Sequence, residues 1–207
     1  MDKQENLAEK LPLKRMTTPT AKELEALISM HQDYRYVMQL SHAAVQLIEA
    51  GVSDDDQVLL QTYWSAALNA YARPFKDGVR QLKMKPDIFT RIDGATESHD
   101  YFMNQRDKLI AHSVNPFEEV YVGVFVDADC KVVGVGELSG RLVATSLEGF
   151  RDLNQLAKIA TEHLMDEITK CKAELLKKAS AMTCDELEKL AEVKFTVPSP
   201  EQSKDSR

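Results

Sequence analysis

From Leu24 to Ile48 the apolar and small residues recur at Leu24, Leu27, Ile28, His31, Tyr34, Met38, Ser41, Val45 and Ile48. This spacing of three and four makes one continuous face only on a helix. Thr20 and Glu23 stand in front of it with the spacing of a capping box, and Gly51 behind it suits a left-handed helix end. His31 lies on the apolar face and reads as a packed core histidine rather than a ligand. Ser53 and Asp54–Asp56 open a second helix, with negative charge at its positive dipole end. Its apolar stripe is Leu60, Trp64, Ala67, Leu68, Tyr71, Phe75, Val79 and Leu82, and a polar stripe of Asn69, Arg73, Lys76, Arg80 and Lys83 runs opposite. Pro74 removes one backbone hydrogen bond from the middle of this segment, so a kink is expected there.

A turn at Asp93-Gly94 leads to a third helix over roughly Glu97–Ser113, which Pro116 forces to end near His112. The period then shortens to two. Tyr121–Val126, Lys131–Gly136 and Leu142–Thr145 are β-branched runs separated by turn residues, and they predict a three-stranded antiparallel meander at about 120–146. Thr145 and Glu148 cap a long helix whose face is Phe150, Leu153, Ala157, Ala160, Leu164, Ile168, Cys171 and Leu175. Thr183 and Glu186 cap a last short one. The expected architecture is mainly α: a four- or five-helix up-and-down bundle with a small β insertion. Residues 1–19 are expected to form a flexible arm, residues 20–192 one helical domain, and residues 193–207 a disordered tail.

The formal net charge of −7 argues against non-specific coating of nucleic acid. A local anion site remains open, because residues 73–91 carry six basic residues against two acidic ones. A solvated helix face accounts equally well for that strip. No apolar run is long enough to cross a bilayer, and the first residues are polar without a signal-peptide core, so the expected location is the cytoplasm. Cys130, Cys171 and Cys184 are far apart and read as indifferent thiols; no metal site or cofactor is expected. No histidine has a glutamate three residues before it, and phosphate-loop, dinucleotide and serine-elbow patterns are absent.

The candidate site is Tyr101-Phe-Met-Asn104-Gln-Arg106-Asp107-Lys-Leu-Ile-Ala-His112-Ser113. Here Arg106 and His112 are separated by five residues near a helix end. Arg35 and His42 match a looser spacing inside the first helix and lack this context. The segment RDKLIAHS resembles the motif of HEPN proteins related to abortive-infection systems, and WSAALNAYARPFKDGVR resembles their second helix. The resemblance covers residues 60–126. It implies a metal-independent endoribonuclease of a toxin or phage-defence type, working as a homodimer, with RNA as substrate and an antitoxin or defence-system protein as a further partner. One HEPN subgroup has a tyrosine two places after the histidine; Val114 stands there in this chain, so control through that tyrosine is not expected.

The residue types fit such chemistry. Cleavage by the ribose 2′-hydroxyl needs a proton carrier near neutral pH, which suits His112, and a cation on the phosphate, which suits the two-pronged Arg106. A helix C-terminus favours protonated histidine. Asp107 and Asn104 are supporting candidates, and Arg73, Lys76 and Arg80 extend a track for phosphate. Arg73 and Arg80 are seven residues apart and share a helix face. On a regular helix, six positions advance about 9 Å and leave the two motif residues about 120° apart, so a compact site calls for long side chains converging, an unwound helix end or a second subunit. The alternatives are a catalytically inactive HEPN module that binds RNA, a nucleotide or a protein partner, and a plain helical scaffold with a structural Arg–His pair, whose β meander covers an oligomer surface. His42, His99 and His163 have no supporting context.

Overall fold

A computed structural model describes residues 11–53, 56–77, 82–110, 118–141 and 144–194. Among these residues the protein is mainly helical, with five α-helices and one two-stranded antiparallel sheet. The helices are α1 (Pro19–Ala50), α2 (Asp56–Ala72), α3 (Ala95–Gln105), α4 (Leu147–Ser180) and α5 (Cys184–Glu188). A 3₁₀ turn covers Pro86–Phe89 and a π-helical turn covers Arg106–Ile110. Strands β1 (Glu118–Val126) and β2 (Val132–Arg141) form the hairpin. The chain divides into two compact units, one of residues 30–76 and 83–163, the other of residues 1–29, 77–82 and 164–207.

The larger unit is organised by aromatic side chains. Trp64 is fully buried, with ring centroids 5.8 Å from Phe102 and 5.4 Å from Phe150. Tyr71 is edge-on to Tyr34 and Phe102 at 5.9 and 6.1 Å, geometries that satisfy the ring quadrupoles. The buried positions of α1 in this unit are Met30, Asp33, Tyr34, Val37, Ser41 and Ala44. Tyr34 and Ser41 come from the expected stripe, but the face is rotated slightly: Met38, Val45 and Ile48 lie at its margin. His31 is likewise half-buried rather than deep in the core. The stripe of α2 is placed as expected at Leu60, Trp64, Ala67, Leu68 and Tyr71.

Proline stops α2 rather than kinking it. The helix ends at Ala72, residues 73–75 form a turn, and Met84 N–H donates to the Pro74 carbonyl at 2.9 Å. Pro74 has no N–H for the Ala70 carbonyl, and its ring crowds that same carbonyl. The polar stripe is therefore not one helix face: Arg73 and Lys76 lie beyond the helix, and Arg80 lies outside the described residues.

The β region also departs from expectation. Among the described residues two strands pair rather than three, in a register that sets Val120 opposite Ser139, Val122 opposite Glu137 and Val124 opposite Val135. Ser139-Gly140, expected to be a turn, instead continues β2 opposite Val120 and Glu119, because an exposed edge strand tolerates the flexible pair. Of the expected third strand, residues 142 and 143 lie outside the described residues, and Ala144 and Thr145 are irregular. The Asp127 carboxylate closes the hairpin turn by accepting from Asp129 N–H (2.9 Å) and Lys131 N–H (2.8 Å). Gly94, with φ of +70°, starts α3 in the left-handed region. The cap of α4 is Ser146, whose hydroxyl accepts from Gly149 N–H, rather than Thr145.

In the smaller unit Thr18 caps α1, accepting from Ala21 N–H at 3.2 Å with Pro19 as the first helical residue. Thr20, expected in that role, is buried and donates to Glu174 at 3.0 Å. Leu13 and Arg15 are tied to Val193 and Ala191 by backbone hydrogen bonds of 2.8 Å. Thr183 and Glu186 form the expected capping box on α5. Among the described residues, no helix is long and apolar enough to cross a membrane.

Candidate functional site

Arg106 begins the π-helical turn directly after α3, and its own N–H still bonds to the carbonyls of Phe102 and Met103. A π turn is a one-residue insertion into a helix, and such insertions concentrate at functional sites because they re-aim the side chains that follow. Over Arg106–Ile110 the winding is therefore not that of a regular α-helix. His112 itself lies outside the described residues, as do residues 111–117 generally.

The Arg106 guanidinium donates to the Asp107 carboxylate at 3.1 Å. The other Asp107 oxygen accepts from Lys76 Nζ at 2.6 Å, bringing together residues 31 positions apart. This hydrogen bond, and to a smaller extent that from Arg106, holds the Asp107 carboxyl below its ordinary range against the opposing effect of burial. Two cations thus flank one anion, all three partly exposed, and the cluster carries one net positive charge. The Arg106 Nε is buried and has no hydrogen-bond partner among the described residues, so the guanidinium is only partly committed. Gln105, one position earlier, is 2% exposed, and its Oε1 likewise lacks a partner there.

The remaining candidates separate. Asn104 is exposed on α3. Arg73 forms a 3.0 Å ion pair with Asp33, whose side chain is nearly buried, so this arginine is held to α1. Lys76 belongs to the Asp107 cluster, and Arg80, the third residue of the expected track, lies outside the described residues. Among the described residues, no group of three His, Cys, Asp or Glu side chains converges to hold a metal ion.

His99 has a role that its sequence context does not reveal. It is 4% exposed, its Nδ1 lies 2.8 Å from the Tyr71 hydroxyl, and its ring centroid is 4.5 Å from Phe75 and 5.1 Å from Phe89. Burial lowers its pKa despite the neighbouring Asp100, and burial raises that of Tyr71. A base whose folded pKa lies below its unfolded value stabilises the fold fully above about pH 6.5, and that contribution is lost as pH falls from there toward the folded pKa. Thermal melts at pH 7.5 and 5.5 are expected to show a fall in Tm that the His99→Gln variant reduces. Equal falls in both proteins would remove His99 from the explanation. Asp107 does not interfere, since its pairs persist until the pH drops below the ordinary carboxylate range.

Comparison with protein-family models, curated proteins and solved structures gives no match for this chain.

Proposed function

We propose that the protein is a metal-independent endoribonuclease of a toxin or phage-defence type and a member of the HEPN superfamily, acting as a homodimer. His112 moves the proton between the ribose 2′-hydroxyl and the leaving oxygen, and Arg106 holds the phosphate as charge builds on it. The observation that carries this reading is the position of Arg106: it opens a π turn, is steered by Asp107, and keeps its Nε without a partner among the described residues. Asp107, fixed by Lys76, orients the guanidinium rather than taking part in proton transfer, because a carboxyl held below its ordinary range is a poor base.

One observation favours a second reading. The Arg106 cation is already partly neutralised by Asp107, as a pair in a catalytically inactive module for RNA, a nucleotide or a protein partner also requires. Incubation of the pure protein with total cellular RNA in EDTA separates the two. Cleavage that persists in the chelator and leaves 2′,3′-cyclic phosphate ends is the expected result. Loss of cleavage in EDTA and its return with magnesium would refute the metal-independent mechanism. Binding with no cleavage under either condition would select the inactive module. A cognate antitoxin or defence partner belongs to the same proposal and rests on the motif resemblance alone.

A further inference from the structure

The segment that closes α2 meets the α3 region twice. Tyr71 and Phe75 bear on His99 in the middle of α3, with the Tyr71 hydroxyl 2.8 Å from His99 Nδ1 and the two ring centroids of Phe75 and His99 4.5 Å apart. One residue after Phe75, Lys76 bonds to Asp107 at the start of the π turn. His99 and Arg106 are seven residues apart, which on a helix is about 10 Å and within about 20° of the same direction. Arg106 keeps helical angles, with φ of −58° and ψ of −47°, and its N–H bonds back into α3, so its backbone moves with that helix. A displacement of α3 at His99 is therefore carried to the far contact, where Lys76 and Asp107 steer the Arg106 guanidinium.

His99 is placed to cause such a displacement. Phe89 covers a further side of its ring at 5.1 Å, and the residue is almost wholly shielded from water. Phe75 and Phe89 face it with uncharged rings, Tyr71 on α2 faces it with a hydroxyl that burial keeps protonated, and Asp100, next along α3, is the charged neighbour. A neutral imidazole fits this cage. Asp100 favours the charged form, but burial outweighs it, and an imidazolium there regains solvation only if the packing opens. We propose that His99 is a proton-operated latch on the Arg106 cluster. Neutral, it holds α3 against Tyr71 and keeps Lys76 on Asp107; protonated, it releases α3 and breaks that link, which turns the site off in acid. As control of the site, the latch rests on the reading of Arg106 given above. The coupling itself is read without RNA, so the two fail separately.

Nuclear magnetic resonance of the ¹⁵N-labelled full chain tests it. The Arg106 Nε–H resonance, assigned with Arg106→Lys, is followed together with the His99 ring between about pH 8 and 5. The expected result is a reversible shift of Arg106 that shares the midpoint of His99, below about pH 6.5, and that disappears in His99→Gln. Asp107 does not mimic this shift, because its carboxyl is held below the ordinary carboxylate range. The other histidines still titrate in His99→Gln, so a shift that they cause would persist there. Should circular dichroism show that His99→Gln misfolds, Tyr71→Phe decides: it removes the hydroxyl from Nδ1 and moves the His99 and Arg106 midpoints together. An Arg106 resonance that does not follow His99, or a shift retained in His99→Gln, overturns the latch. Midpoints that separate in Tyr71→Phe, or loss of the whole fold in the same step as His99 protonation, overturn it equally.

Discussion

The His112→Ala protein is expected to cleave RNA roughly 10²–10⁴-fold more slowly than the parent, the range associated with loss of a positioned proton carrier. Arg106→Lys keeps the charge and loses the two-pronged geometry, so a fall of about 10²–10³-fold in rate with RNA affinity mostly retained is expected. The Asp107 bridge adds a test that the motif alone does not offer. If Asp107 orients Arg106, Asp107→Asn lowers the rate with little change in affinity; if it only neutralises Lys76 and Arg106, the same change tightens RNA binding. Arg80→Ala is expected to weaken binding and reduce its salt slope by about one ion. Single-turnover cleavage and filter binding across a salt series, on proteins with parental circular dichroism, supply both readouts. Motif variants that cleave at the parental rate would exclude Arg106 and His112 as the active site.

Truncation of Trp64 carries the largest expected cost in stability. The side chain is fully buried between Phe102 and Phe150, so Trp64→Ala removes two edge-to-face contacts and leaves a cavity, a loss of about 3–5 kcal/mol. Trp64→Phe should cost much less. It preserves an aromatic ring and removes an indole N–H that has no hydrogen-bond partner among the described residues. Urea denaturation followed by circular dichroism measures both, and equal midpoints for the two variants would show that the ring contacts do not organise this core.

The helices were legible in the sequence because their information is local. The spacing of Leu60, Trp64, Ala67, Leu68 and Tyr71 places five side chains on one face whatever they eventually touch. Punctuation was harder to read. Pro74 announced a disturbance, but whether the chain kinks or stops depends on what receives the following residues, and Met84 turns out to bond back to Pro74. Ser139-Gly140 has turn chemistry, yet pairing with β1 outweighs local preference. At the candidate site, the sequence singled out Arg106 and Asp107 but not Lys76 as their partner, since no pattern reports a contact across 31 residues. His99 was passed over for the same reason: its surroundings come from Tyr71, Phe75 and Phe89, none of them adjacent in the chain.

The π turn at Arg106–Ile110 makes spacing itself a heritable property of this segment. A side chain can be exchanged there with local effect, but removing one residue returns the turn to α-helical winding and swings whatever follows by about 100°. Substitutions should therefore drift through the interval between Arg106 and His112 far more readily than insertions or deletions. On the proposed reading, a chain that keeps Arg106 and His112 but changes their separation by one would lose the motif's aim while appearing, residue for residue, to retain it.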